Sequence, residues 1–171
     1  MDAVKTTQGL TFTERFSTYF SRDVAHRAAK SIADGAEIEF SVCLSADPKV
    51  QTPAIEAFTF TRVEGRNLIR AAPSSSAQIL FKMTPQAAEA ILNDPTEEIG
   101  QIGVNIAKLM ISPDANRRIG MKLQVGFMSL FSKGYLGVLT TGGSEFGSFL
   151  ASRGQNGLRA VQSLLRKKSD L

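Results

Sequence analysis

Between residues 37 and 83 the hydrophobic period of this chain drops from three or four residues to two and stays there through four successive segments. In Glu37-Ile38-Glu39-Phe40-Ser41-Val42-Cys43-Leu44 the even positions are apolar and most odd ones polar, which predicts a strand with one buried and one wetter face. Asp47-Pro48 and Thr52-Pro53 mark a loop. Glu56 to Val63 then alternates around Phe58 and Phe60, and Glu64-Gly65-Arg66-Asn67 turns it into Leu68 to Ala72, a hairpin. After Pro73-Ser74-Ser75-Ser76, Ala77 to Met83 alternates again with Ile79, Phe81 and Met83 on one face. Strands gathered in a run, with helical patterns before and after, give an α+β class.

The flanking segments carry the helical period. Phe12, Phe16, Tyr19, Phe20, Val24, Ala28 and Ile32 recur at three- and four-residue steps, predicting one amphipathic helix from Thr11 to Ala33. Asp34-Gly35 stops it, because glycine enters the left-handed cap conformation without a side-chain penalty. Thr84-Pro85 starts a helix that runs to about Asn93, since threonine caps free amides and proline at the first position loses no bond. Thr96 followed by Glu97 and Glu98 repeats the start signal, with carboxylates where the helix dipole favours them, ahead of a stripe of Ile99, Ile102, Ile106 and Leu109. Ile119, Met121, Leu123 and Val125 alternate with polar or small residues as a fifth strand. Helical spacing returns from Phe127 to Leu139, interrupted by Gly134 and Gly137, and Leu158, Val161, Leu164 and Leu165 stripe a final basic helix.

A chain of 171 residues that is 43% hydrophobic is one globular domain with one core. We divide it into a body, residues 1–139, and a C-terminal helical extension, 140–171, packed on that body. Residues 153–171 hold five cations, Arg153, Arg159, Arg166, Lys167 and Lys168, and one anion, Asp170, which accounts for the whole net charge of +4. The rest is neutral, a pattern that fits a basic tail helix and not a groove tracking nucleic-acid phosphates. With no secretory signal at Met1 to Thr7 and no apolar run of about 20 residues, the expected location is the cytoplasm.

The chemistry-bearing residues are sparse. One cysteine, Cys43, lies in an alternating strand and reads as a buried thiol, and one histidine, His26, lies within the first helix. Neither spacing suits a metal site or a Ser-His-Asp triad, and no glycine pattern suits a phosphate. No cofactor and no enzymatic activity are expected. Phenylalanine and methionine concentrate in the second half, and such residues wall pockets for varied apolar ligands.

Ala77-Gln78-Ile79-Leu80-Phe81-Lys82-Met83-Thr84-Pro85, a strand entering a capped helix, and Leu109-Met110-Ile111-Ser112 followed by Ile119-Gly120-Met121-Lys122-Leu123-Gln124 resemble the sterol carrier protein type two family. The resemblance spans about Phe12 to Leu139. It implies a single five-stranded, mostly antiparallel sheet covered on one face by helices, with a lipid or other apolar small molecule held in an internal tunnel. The ligand-binding residues it implies are Phe81, Met83, Met121 and Leu123 as floor and Ile102, Ile106, Phe127 and Phe131 as walls. The basic tail, through Arg159, Arg166, Lys167 and Lys168, is expected to touch an anionic membrane transiently. The alternative is an accessory protein of a lipid or quinone pathway, of the kind some bacterial relatives in the family are, docking a partner by a helical face without bound ligand.

Overall fold

The structure, a computed structural model, describes residues 9–141. Five strands, β1 (Glu37–Cys43), β2 (Ala54–Val63), β3 (Arg66–Arg70), β4 (Ile79–Met83) and β5 (Ile119–Leu123), form one sheet in the order β3-β2-β1-β4-β5. Three junctions are antiparallel; the fourth, β1 with β4, is parallel. The fold is therefore α+β with a mixed, mostly antiparallel sheet. The hairpin between β2 and β3 closes through Glu64 and Gly65, with φ of 50° and 73°, a two-residue turn whose twist matches that of the strands.

Register carries the alternation read from the sequence across the sheet in rows. Phe60, Ile38, Ile79 and Leu123 align in one, Phe58, Phe40, Phe81 and Met121 in the next, and Val42, Met83 and Ile119 in a third. All lie on one face, and within the second row Phe58, Phe40 and Phe81 stack at centroid separations of 5.3 and 5.4 Å. Helix α1 (Phe12–Phe20) packs Phe16 and Phe20 on this row. Its Thr11 completes a capping box with Glu14, and the Glu56 carboxylate of β2 also accepts the N–H groups of Phe12 and Thr13, at 3.0 and 2.9 Å. At the other end of α1, Asn67 of β3 donates to the Phe20 carbonyl at 3.0 Å. Carboxylate at the positive end and donor at the negative end hold the helix by its dipole. Beside Asn67, the buried Arg62 donates to the Asn67 side chain and the Gly65 carbonyl, and its Nε finds no partner among the described residues.

The helix expected from Thr11 to Ala33 is two. Ser21 donates its hydroxyl to the Thr18 carbonyl, Arg22 is extended at φ −65° and ψ 149°, and α2 (Asp23–Ala28) follows. Both halves bury the same face, so the apolar period runs through a break it does not register. Gly35 is left-handed, at φ 80°, but α2 has already ended and turns intervene.

The Thr84 cap of α3 (Pro85–Leu92) stands as expected, accepting the Ala87 N–H at 3.3 Å. By contrast α4 (Ile99–Met110) begins after Glu98, whose side chain makes no capping bond. Thr96 instead donates its N–H to Asp94, so the start signal at Thr96 is a local turn. Beyond β5, α5 (Phe127–Ser132) and α6 (Tyr135–Thr141) divide the expected helical stretch at Gly134, where φ is 79°. All these helices are joined to one apolar face, while the loops at 44–53 and 71–77 cross the other: Lys82 donates to the Val50 carbonyl, and Glu37 accepts from Ser74 and Ser76. The extension from residue 142, with its basic tail, lies outside the described residues, as does the chain before residue 9.

Candidate ligand cavity

Where α2 and α4 face each other over the sheet, they leave a cavity of about 200 Å³. Its physical origin is side-chain length. From α2 and the turn after it come Ala25, Ala28 and Ala29 with Val24 and Ile32; from α4 come Ile99, Ile102 and Ile106. Short side chains opposite branched ones do not meet across the gap. The floor is Ile38, Phe40 and Phe60 of β1 and β2, α1 closes one side with Tyr19 and Phe20, and Val138 of α6 adds a last wall. The walls are hydrocarbon apart from the Tyr19 phenol, which burial holds above its ordinary value against the opposing pull of Arg22, with Asp94 raising it further. The phenol is therefore protonated at neutral pH.

The cavity is held at two places. Beside α1, Arg22 lays its guanidinium over the Tyr19 ring, 5.0 Å from the centroid, and donates to the Thr96 carbonyl at 2.9 Å, tying the α1–α2 junction to the loop before α4. In that loop Asp94 accepts the Thr96 N–H at 3.0 Å and the Asn105 amide of α4 at 2.8 Å. Burial works against its charge, yet these bonds and Arg22 keep its carboxyl below the usual range. On the α6 side, Ser31 donates to the Gly134 carbonyl and Ala33 to that of Lys133, both at 2.9 Å. The buried Tyr135 hydroxyl bonds the Gln78 side chain at 2.9 Å, and burial pushes its pKa up.

Of the residues expected to hold a ligand, Ile102 and Ile106 line this cavity. Phe81, Met83, Met121 and Leu123 share the floor's sheet face but lie on β4 and β5 and do not line the cavity. Phe81 stacks on Phe40, and Met83 is packed in the core with Phe16, Val42 and Phe58. Met121 and Leu123 pack around the cluster of Ile38, Ile79 and Leu130. Phe131 stands 59% exposed on α5. Phe127 opens α5, and its side chain lies outside what the structure describes. Ala28 and the aromatic pair Tyr19–Phe20 were legible as part of an amphipathic stripe; Ala25 and Ala29 were not, and the signal separating wall from core is the run of small residues at 25, 28 and 29.

Among the described residues, no group of three or more His, Cys, Asp or Glu side chains is placed to hold a metal ion, and no helix is long and apolar enough to cross a membrane. Cys43 is fully buried, its thiol against the Ser41 carbonyl, and does not reach the cavity. What the arrangement offers chemically is dehydration of a hydrocarbon surface.

No family model matches the sequence, and no curated protein matches it. Among solved structures, the chain is similar to one described as "UbiJ-SCP2 Ubiquinone synthesis protein", with a TM-score of 0.42 and 8% identity over 74% of this chain and 90% of that one. It is also similar to a conserved hypothetical protein from Thermus thermophilus for which a sterol carrier role has been raised, with a TM-score of 0.38 and 13% identity over 77% and 80%.

Proposed function

We propose that this protein binds a lipid or another apolar small molecule between α2, α4 and the sheet, and carries it without changing it. The observation that supports this is a cavity of about 200 Å³ whose walls are hydrocarbon save for one phenol. Burying a ligand there is driven by about 25 cal/mol for each Å² of apolar surface removed from water. Among the described residues the lining places no group to abstract a proton or to attack a carbonyl, which favours a carrier. Exchange with a membrane is the matching role for the basic tail, with Arg159, Arg166, Lys167 and Lys168 drawn to an anionic surface in a cytoplasmic setting.

Native mass spectrometry of the purified chain, followed by organic extraction, tests the reading. An apolar molecule near one per chain supports it, and Ala28→Phe, which places a ring in the cavity, should then fold and fly empty. A wild-type chain that carries nothing and leaves an apolar fluorescent probe unshifted overturns the reading, and so does an Ala28→Phe chain that binds as well as wild type.

A further inference from the structure

We propose that α5 docks this protein on an anionic lipid bilayer, with Met128 and Phe131 entering the headgroup layer and the cations of the C-terminal third of the chain meeting its charge. This surface is separate from the cavity lining and serves with the cavity filled or empty. Helix α5 reads Phe127-Met128-Ser129-Leu130-Phe131-Ser132 and has no charged side chain. Its inner face is set by Leu130, which is 5% exposed and packs with Ile79 and Tyr135. Three residues apart and so neighbours on the helix surface, Met128 and Phe131 stand 74% and 59% exposed. A helix that is apolar on both faces belongs in a core or against another apolar phase, yet α5 lies at the surface with one face covered.

Charge decides what suits the other face. In the sequence no carboxylate side chain stands between Asp114 and Glu145, while Arg117, Arg118, Lys122 and Lys133 do. After Asp114 the chain carries nine cations against two anions, Glu145 and Asp170; residues 1–114 carry eleven against fourteen. Helix α5 lies within the positive part, with Lys133 as its C-cap. A second copy presenting the same face would set like charges together. So would the chain's own tail, in which Leu158, Val161, Leu164 and Leu165 come with Arg159, Arg166, Lys167 and Lys168. The matching surface is apolar within and negative at its rim. A bilayer with anionic headgroups has that profile, and helices with lysine and arginine beside an apolar face lie in its boundary layer. The next helix, α6, contributes Val138 to the cavity, so a bilayer at α5 lies one helix away from the cavity wall.

Vesicle flotation of the purified chain tests this, with phosphatidylcholine alone or mixed with an equal part of phosphatidylglycerol. Affinity for the mixed vesicles should be higher by at least about fivefold, the contribution of one cation near such a surface. The chain contains no tryptophan, so Phe131→Trp puts a single reporter on α5. On mixed vesicles its emission should move to the blue and be quenched by brominated acyl chains. Leu44→Trp, an equally exposed site where the loop crosses the opposite face of the sheet, should stay unquenched. Met128→Gln and Phe131→Gln should each weaken binding about tenfold, the low end of what burying such a side chain contributes. Their urea midpoints should match wild type, because both positions are exposed. Binding that ignores these two substitutions, or quenching at Leu44→Trp in place of Phe131→Trp, overturns the proposal. So does a Phe131→Trp chain whose emission is already blue and shielded from a soluble quencher before vesicles are added, since protein then covers α5. Failure to float with either vesicle overturns it as well, and leaves the content of the cavity to be decided by extraction.

Discussion

Gly134→Ala is the substitution whose cost follows most directly from the geometry. Gly134 sits at φ 79°, where a residue with a β-carbon is strained by about 1–2 kcal/mol. A methyl there would also lie 1.8 Å from the Ser31 carbonyl oxygen and 2.8 Å from its carbon, and both are backbone atoms that cannot rotate away. The chain must move apart, and two hydrogen bonds cross that contact, from Ser31 to Gly134 and from Ala33 to Lys133. At about 1 kcal/mol each, their loss brings the total to about 3 kcal/mol. Urea denaturation should show the unfolding free energy falling by that amount, through a lower midpoint at an unchanged slope. Because Ala29 and Ile32 line the cavity on one side of this contact and Val138 on the other, binding of an apolar probe should weaken as well. A stability loss under about 1 kcal/mol would mean that α5 and α6 do not rest on the 29–33 turn as described, and the reasoning would fail.

Phe16→Ala empties the centre of the aromatic cluster under α1, where Phe16 is 1% exposed, and should cost about 3–5 kcal/mol by the same denaturation assay. Thr84→Ala removes a hydroxyl that accepts from Ala87 and Arg118 and donates to Asn116 at 2.7 Å; a loss of about 2 kcal/mol is expected, with the α3 amides first to show faster hydrogen exchange. Glu37 is held below its ordinary 4.5 by the Ser74 and Ser76 hydroxyls and, less strongly, by Arg70. A folded-state pKa below the unfolded one gives stability that is present above about pH 4.5 and fades as pH falls through the lower value. Thermal melts across that range should slope less in Glu37→Gln, and identical slopes would refute this account.

Much of the architecture could be read from local pattern because local physics dictates it. Period-two alternation around Phe40, Phe58 and Phe60 makes a strand wherever one face is buried, and Thr84-Pro85 caps a helix whatever surrounds it. The Glu64-Gly65 turn likewise closes its own hairpin. The break at Ser21–Arg22 was not legible as an end, since a periodic stripe persists when both halves of a broken helix pack on one surface, whereas Gly134 marked its interruption in the sequence. Nor could the parallel pairing of β1 with β4 be read, as strands 41 residues apart in Ile38 and Ile79 leave no local trace of becoming neighbours.

The cavity belongs to the same category. Sequence alone determined which residues are apolar and which face of each element they occupy, so it found Ile102 and Ile106 and the sheet face of Phe81 and Met121. Only the tertiary structure decided where that face is filled and where it is left open. Over β4 the large side chains Phe81 and Met83 meet their neighbours and become core, while over β1 and β2 the alanines of α2 fall short of the isoleucines of α4. The difference between core and cavity is a few ångströms of unfilled distance between elements remote in the chain, and hydrophobic pattern carries no measure of distance.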